Sequence, residues 1–217
     1  MPWSDPRRGV ATLWDQWPSV SIIVPACNAE AGIAACVRSI QLTRYERWEL
    51  VLVDDGSTDT TPELMAALAA ADPRIKVVRQ ARAGRAAALN LGSHHSAGDV
   101  LIFVDPAATV SRRTVDRLLQ GFEDDSTGAV VGDNRPAGGE PGPAWALHGS
   151  RHMVRSLVRQ ALSAAGLVPA SRIVAMPSRV LADVGPFPEG AQNEVLALAW
   201  RVQKAGRRVG FVPQAWS

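Results

Sequence analysis

Cysteine is scarce in this sequence, which contains only Cys27 and Cys36 among its 217 residues. Two closely spaced cysteines make no disulfide framework, and neither has a second thiol or a histidine at zinc-ligand spacing. We therefore expect both side chains to be small core hydrophobes in a reducing compartment. Gly-x-Ser-x-Gly, Walker and Gly-x-Gly-x-x-Gly motifs are also missing from the sequence.

Excess charge and long apolar runs are equally lacking. The formal net charge is only +2, whereas a nucleic-acid-binding surface needs clustered excess lysine and arginine, so no nucleic-acid partner is expected. No uncharged apolar run reaches the roughly 18 residues typical of a membrane-spanning helix. Residues 1–17 lack the apolar core of a signal peptide. These features predict a cytoplasmic protein with at most peripheral membrane contact.

The first half of the chain alternates between β-branched runs and helical patterns. Hydrophobic residues make up 47% of the sequence, enough for a substantial core. Strands are predicted at 20–26, 48–53, 75–79 and 100–104, and helices at 29–42, 60–71, 85–93 and 111–122. This alternation predicts an α/β fold, with a mostly parallel sheet and helices on both of its faces.

The second half has a less regular pattern. Strands are predicted at 128–131, 173–176 and 208–212, helices at 144–165 and 194–205, and a Pro/Gly loop at 135–143. The long helix carries Arg151, Arg155 and Arg159 on one stripe, which is typical of a solvated face, with contact to an anionic membrane surface as the alternative. His148 and His152 have a spacing that can bind zinc, but surface histidines are the preferred interpretation.

Acidic and basic residues stand where the predicted strands end and a helix begins. Glu30 follows the first strand, Asp54 and Asp55 follow the second, and Asp105 follows the fourth. Arg85 opens the third helix. Open α/β sheets bind ligands outside the carboxyl ends of their strands, so these residues predict a ligand site at that edge.

Several segments resemble, in order and spacing, those of family 2 glycosyltransferases, which have the GT-A fold. The segments are 20–30 (VSIIVPACNAE), 52–59 (LVDDGSTD), 84–92 (GRAAALNLG), 97–105 (AGDVLIFVD) and 206–213 (GRRVGFVP). The resemblance implies a lead at 1–19 and one GT-A domain at 20–217, with a nucleotide-binding half at about 20–107 and an acceptor half at about 108–217. It also implies inverting transfer of a sugar from a UDP- or GDP-type donor to a polysaccharide, lipid-linked or protein hydroxyl.

The resemblance also assigns the residues that contact the nucleotide sugar. They are Pro25, Ala26, Glu30, Asp54, Asp55, Arg85 and Asp105. Asp55 can accept a hydrogen bond from a uracil-like N3–H or a ribose hydroxyl, whereas the alternative is that Asp54 and Asp55 merely serve a turn. Arg85 can meet a diphosphate at a helix start, or it can be a solvated surface arginine. Arg82 is a weaker candidate.

Two carboxylates of the family pattern are absent from this sequence. Relatives place an Asp-x-Asp pair after strand four to hold Mg²⁺ or Mn²⁺, but here Asp105 is followed by Ala107 at the second position, so the resemblance implies a weakened metal site at Asp105. The family's catalytic Asp on a late helix aligns with Val195, as counted from Arg201. Glu194 is the remaining candidate base, and a first-turn acid favoured by the helix dipole is the alternative.

Three functions remain open on these residues. The first is an active inverting glycosyltransferase. The second is a catalytically impaired relative that binds a nucleotide sugar or a partner protein. The third is a nucleotidyl-type enzyme built on a similar doubly wound sheet.

Overall fold

The β-branched runs form one seven-stranded sheet in the computed structural model, which describes residues 17–122, 124–132, 173–191 and 193–212. The strands are β1 (Val20–Ala26), β2 (Trp48–Asp55), β3 (Ile75–Gln80), β4 (Val100–Val104), β5 (Thr127–Gly132), β6 (Ile173–Pro177) and β7 (Arg208–Val212). Every residue of β1, β4, β5 and β6 is buried. Continuous apolar runs are required for such burial, because both faces of the sheet are covered.

Six helices are described. They are α1 (Ile33–Gln41), α2 (Thr61–Ala71), α3 (Arg85–His94), α4 (Thr114–Gln120), α5 (Ser178–Val184) and α6 (Glu194–Lys204). Among these helices, none has both the length and the apolar character needed to cross a bilayer. The predicted loop at 135–143 and the predicted helix at 144–165, with its arginine stripe and histidines, lie outside the described residues.

The strands run in the order β3-β2-β1-β4-β6-β5-β7. β1 pairs in parallel with β2 and β4, β2 with β3, and β5 with β7. β6 is antiparallel to both of its neighbours, β4 and β5. The predicted α/β fold with a mostly parallel sheet is therefore confirmed, and the antiparallel insertion of β6 is a feature that the pattern of apolar runs did not indicate.

The helices divide between the two faces of the sheet. One core cluster joins α1, α2 and α4 to β1 residues such as Ile22 and Val24. The other joins α3, α5 and α6 to Ile23 of β1 and to neighbouring strands. Alternate strand residues point to opposite faces, so Ile22 and Ile23 enter different clusters. As a result, α3 and α6, which are distant in sequence, pack on the same face.

Gly92 lets α3 approach the sheet closely. A Cβ atom at this position would lie 2.5 Å from Cγ2 of Ile23 and 3.0 Å from Cγ2 of Val53. Such contacts are far inside van der Waals distance, so only glycine fits without a shift of the helix. This packing seats α3 against β1 and β2 and directs its first residue, Arg85, to the edge of the sheet where those strands end.

Candidate functional site

The carboxyl ends of three adjacent strands meet at one edge of the sheet. Asp54 and Asp55 end β2, and Asp105 directly follows β4, with β1 lying between these two strands. Pro25 and Ala26 end β1 and are buried, and Ala26 pairs in register with Asp54. The strand order therefore brings the residues predicted from each strand end to a common edge, as expected for a ligand site in an open α/β sheet.

Asp55 ties the end of β2 to the start of α3. Its Oδ1 accepts hydrogen bonds from Nε2 of Gln80 at 2.7 Å and from the backbone N–H of Ala83 at 2.8 Å. Its Oδ2 accepts from the backbone N–H of Gly84 at 3.0 Å. A carboxylate offers about four acceptor positions, so one remains for a ligand N–H or hydroxyl. Asp55 is only 5% exposed.

Asp54 points to the other face of the strand and stabilises the turn that follows it. Its Oδ1 accepts from the backbone N–H of Ser57 at 3.0 Å, and its Oδ2 accepts from Nε of Arg79 at 3.2 Å. The side chain is 3% exposed. These contacts match the turn interpretation of Asp54. Contact between this carboxylate and a nucleotide stays a prediction.

Glu30 connects the turn after β1 to the start of α2. Its Oε2 accepts from the hydroxyl of Thr60 at 2.7 Å and from the backbone N–H of the same residue at 3.2 Å. The backbone N–H of Glu30 donates to Oδ2 of Asp59 at 3.2 Å. Burial acts to raise the pKa of Asp59. Hydrogen bonds with the side chain and backbone of Thr61 act in the opposite direction and outweigh it, so the pKa is lowered. Glu30 itself is exposed at this edge, so it can still meet a ligand while holding the two loops together.

Arg85 bridges two carboxylates that come from different elements. Its Nε lies 2.7 Å from Oε1 of Glu194, the first residue of α6. Its Nη1 lies 3.7 Å from Oδ2 of Asp105. The Arg85 side chain is thus paired with carboxylates as well as partly exposed, and its contact with a diphosphate stays a prediction. Arg82 is exposed. Three residues predicted separately from the sequence form one charged cluster, which we call the Arg85 bridge.

The Arg85 bridge and Asp55 belong to one continuous network. Asp55 accepts from the N–H of Gly84, and the next residue, Arg85, reaches Asp105. Gly84 has φ +98°, a left-handed conformation that favours glycine and turns the chain into α3. The start of α3 thus lies between Asp55 and Asp105, which places both carboxylates around the same helix N-terminus.

The family's metal site is poorly matched by these residues. Oδ1 of Asp105 accepts from the backbone N–H of Ala107 at 2.9 Å, and its Oδ2 faces the positive guanidinium of Arg85. Ala107 offers no side-chain donor. In the described part of the chain, no group of three or more His, Cys, Asp or Glu residues could hold a metal ion. A divalent cation would also be repelled by the guanidinium, so the donor set does not fit the ion.

Glu194 is positioned by the N-terminus of α6. Oδ1 of Asn193 caps this helix by accepting from the backbone N–H of Leu196 at 2.9 Å. Glu194 lies in the first turn, where the helix dipole favours an ionised carboxylate. Its Oε1 is occupied by Arg85, and Val195 packs against the core of this face. The helix thus aims the glutamate, and not the valine, at the Arg85 bridge.

Asn90 is a positioning residue that the sequence analysis did not single out. Its Oδ1 accepts from the backbone N–H of Phe187 at 2.8 Å, and its Nδ2 donates to the carbonyl of the same residue at 3.0 Å. Nη1 of Arg201 donates to the neighbouring carbonyl of Pro186 at 2.8 Å. These bonds fasten the segment before α6 to α3. An asparagine inside a helix is unfavourable unless its side chain is used, and that was the available signal.

Sequence comparisons agree with this geometry. Residues 21–172 match the family model described as Glycosyl transferase family 2. Glycosyltransferase GlyG of Streptococcus pneumoniae is 32% identical over 115 residues, which cover 52% of this chain and 38% of that protein. Beta-monoglucosyldiacylglycerol synthase of Nostoc sp. is 32% identical over 130 residues, 58% of this chain and 28% of that protein. The matches span well under half of these relatives' own lengths.

Solved structures share the same architecture. The mannosyltransferase PcManGT from Pyrobaculum calidifontis, in complex with GDP-Man and Mn²⁺, superposes with a TM-score of 0.79 at 25% identity, covering 99% of this chain and 59% of that one. S. aureus TarS 1-349 in complex with UDP-GlcNAc superposes at 0.69 with 18% identity, a likeness of fold, covering 90% of this chain and 56% of that one. The family match removes the alternative of an unrelated nucleotidyl-type enzyme. With its motifs, its sheet order and its edge of charged residues, this chain belongs to glycosyl transferase family 2 and has the GT-A fold.

Proposed function

We propose that this chain transfers a sugar, with inversion, from a UDP- or GDP-type donor to a hydroxyl acceptor. The observation that carries the proposal is the Arg85 bridge, in which a guanidinium at a helix N-terminus stands between Asp105 and Glu194. A helix N-terminus with an arginine is suited to a diphosphate, since free backbone N–H groups and a positive charge converge there. Two neighbours of the same fold were solved with GDP-Man and with UDP-GlcNAc.

In this proposal the donor lies along the ends of β1 and β2. Pro25 and Ala26 form the floor beneath it, and Glu30 borders the opening. The remaining acceptor position of Asp55 takes an N–H of the base or a hydroxyl of the ribose. Asp54 acts through the turn that it stabilises. Residues 20–107 then form the donor side, and residues 108–217 form the acceptor side.

The chemistry follows from the placement of the charges. The acceptor oxygen forms a bond to C1 of the sugar as the bond from C1 to the phosphate oxygen breaks on the opposite side, which inverts the anomeric centre. The electron pair of the broken bond leaves with the nucleoside diphosphate, whose charge Arg85 offsets. The proton of the acceptor hydroxyl passes to Oε2 of Glu194, because Oε1 is engaged by Arg85.

A Mg²⁺ or Mn²⁺ ion at Asp105 is the part of the sequence-based prediction that the donor set does not support. PcManGT was solved with Mn²⁺, but here Ala107 and Arg85 stand beside the single carboxylate. No step of the proposed reaction is therefore assigned to a metal ion.

The cellular setting of the proposal is the cytoplasm, with at most peripheral membrane contact. Support comes from Cys27 and Cys36, which are both free thiols, as is usual in a reducing compartment. Cell fractionation of the native protein, with and without a high-salt wash, tests the location. Screening of polysaccharide, lipid-linked and protein acceptors with radiolabelled donor identifies the acceptor class.

Donor binding is the first experiment. Thermal unfolding is measured with UDP, GDP and their sugar conjugates, and a true ligand at 100 times its Kd should stabilise the protein by about 2.7 kcal/mol. Hydrolysis or transfer of the bound donor is then followed by release of nucleoside diphosphate. Binding without turnover toward any acceptor would favour the alternative of a binding module, and no binding of either nucleotide would overturn the proposal.

Glu194→Gln tests the proton acceptor. Glutamine keeps an oxygen that can accept from Nε of Arg85, but it cannot take a proton, so kcat should fall by about 10²–10⁴-fold. The Kd for nucleoside diphosphate should stay within about threefold of wild type. Glu63→Gln, an exposed glutamate on α2, is the matched control and should leave kcat unchanged. An unaltered kcat in Glu194→Gln would remove this residue from the proposed reaction.

A further inference from the structure

The Arg85 bridge bears on which positive charge binds the diphosphate of the donor. This question rests on the proposed function. Two negative side chains, Asp105 and Glu194, approach one guanidinium from opposite elements. In the family pattern that this sequence resembles, carboxylates at this edge hold a divalent cation. Here the position of the second carboxylate is occupied by Ala107, and the positive charge at the edge belongs to an arginine.

The bridge is partly shielded from water. The side-chain exposures of Arg85, Asp105 and Glu194 are 36%, 28% and 14%. Charges in such a setting are less screened than charges at a fully open surface. Arg85 also extends from the first residue of α3, whose start is fastened to Asp55. The guanidinium is therefore held by its partners and by its helix before any ligand arrives.

The guanidinium keeps donors for a ligand while it is held. Nε lies beside Glu194 and Nη1 lies beside Asp105, whereas no carboxylate lies beside Nη2 among the described residues. A guanidinium has five N–H donors in a fixed planar fork that suits phosphate oxygens. Backbone N–H groups in the first turn of α3 lie beside it and add to the attraction for an anion.

We propose that Arg85 replaces the divalent cation in this protein, so that the diphosphate of the donor binds without Mg²⁺ or Mn²⁺. Asp105, which holds a metal in the family pattern, is here a positioning residue for the guanidinium. Glu194 has the same positioning role in addition to its proposed part in proton transfer. The second carboxylate is absent at Ala107, and Arg85 forms the bridge. Both features then belong to the replacement of a metal ion by an arginine.

Isothermal titration of the full chain with UDP and GDP tests this directly, once in EDTA and once in millimolar Mn²⁺. The Kd of the nucleotide that binds should differ by less than about threefold between the two conditions. Arg85→Gln should weaken binding in EDTA by about 10- to 100-fold, because a charge-assisted hydrogen bond is lost. The Kd of Arg85→Lys should lie between those of wild type and Arg85→Gln, because lysine keeps the charge but not the planar fork. Circular dichroism and thermal melting verify that each variant is folded.

Arg38→Gln is the matched control. Arg38 carries the same charge on α1 and is exposed. This variant should bind nucleotide as wild type does. An equal loss in Arg38→Gln and Arg85→Gln would overturn the inference, because general positive charge would then explain the binding.

Ala107→Asp provides the reverse test. The added carboxylate should make nucleotide binding respond to Mn²⁺, with a tighter Kd in Mn²⁺ than in EDTA and a Mn²⁺ signal altered by the protein in electron paramagnetic resonance. If wild type itself binds nucleotide at least tenfold more tightly with Mn²⁺, the inference is overturned while the proposed function stands. If neither nucleotide binds wild type in either condition, the proposed function fails and the inference fails with it.

Discussion

Asp55 shows how one buried carboxylate can serve the fold and still face a ligand. Three N–H groups donate to it, two of them from the backbone just before α3. Backbone N–H groups at a turn would otherwise be unsatisfied, and each would cost free energy when buried. The same bonds place Gly84 and Arg85 at the edge of the sheet. Its neighbour Asp54 has a different set of partners, because successive strand residues point to opposite faces.

Asp55→Asn should therefore destabilise the protein. In asparagine, an NH₂ group replaces one of the two carboxylate oxygens. This group cannot accept a hydrogen bond, so at least one of the three bonds is lost and two donors face each other. The free energy of unfolding should fall by about 1–3 kcal/mol, as measured by urea denaturation. Asp125→Asn is the control, since the Asp125 side chain is 84% exposed, and its effect should stay within about 0.5 kcal/mol. Equal midpoints for both variants would contradict the structural role of Asp55.

The two helices that build the Arg85 bridge depend on the segment between α5 and α6. Asn90 of α3 holds the backbone of Phe187, whose ring packs edge-on against Phe103 of β4 with centroids 4.8 Å apart. Arg201 of α6 holds the carbonyl of Pro186. Contacts from α3, which lies much earlier in the chain, thus help to position the start of α6 and Glu194.

Asn90→Ala should loosen this segment. The backbone N–H and carbonyl of Phe187 would both lose their partner, so hydrogen exchange of residues 185–191 should accelerate and the free energy of unfolding should fall by about 1–3 kcal/mol. Hydrogen-exchange mass spectrometry measures the first effect. Ser93→Ala on the same helix is the control, because the hydroxyl of Ser93 donates to the carbonyl of Leu89 within α3 and, in the described part of the chain, to no other element. Unchanged exchange in Asn90→Ala would show that the contacts with Phe103 and Arg201 are enough to position the segment.

At the scale of the whole molecule, the two edges of the sheet differ in their chemistry. Opposite the charged edge, a cavity of about 510 Å³ is lined by Trp17, Arg44, Tyr45, Glu46, Arg47 and Asp116. Asp116 is 8% exposed, and its Oδ1 has no hydrogen-bond partner among the residues that the structure describes. Burial raises the pKa of this carboxyl, although Arg113, Arg44 and Arg117 act in the opposite direction. The ionised form is therefore less favourable in the folded chain than in the unfolded chain.

The pH dependence of stability follows from this shift. Below the unfolded pKa of about 3.9, Asp116 is neutral in both states and imposes no cost. As the pH rises from the unfolded pKa through the raised folded pKa, the carboxyl is ionised in the unfolded chain but still protonated in the folded chain, so stability is lost. Asp116→Asn should be more stable than wild type at pH 7, with the difference shrinking toward pH 4. Urea denaturation across that range measures it.

Asp183→Asn serves as the matched control for Asp116→Asn. The Asp183 side chain is 61% exposed and pairs with Arg207. Its replacement should not raise stability at pH 7. A gain at pH 7 of the same size for both variants would point to general surface charge and not to the buried carboxyl.

The linear order of residues was sufficient for the strands and for the edge that carries the site, but it did not indicate that β6 runs antiparallel to its neighbours. Runs such as those of β1 and β4 are apolar throughout because both faces are covered, and their bounds were predicted to the residue. The acids that follow these runs had to meet at one edge, since parallel strands end on the same side. Helix α5 was missed, because its seven residues are too short to show a clear helical period.

Tertiary structure alone decided which partners these residues take. Arg85 and Glu194 lie far apart in the chain, and they meet because α3 and α6 pack on the same face of the sheet. No local pattern encodes that contact, since it depends on the sum of many core contacts on both helices. The sequence determined that charge would gather at this edge. The packing of the helices determined that an arginine would stand between the two carboxylates.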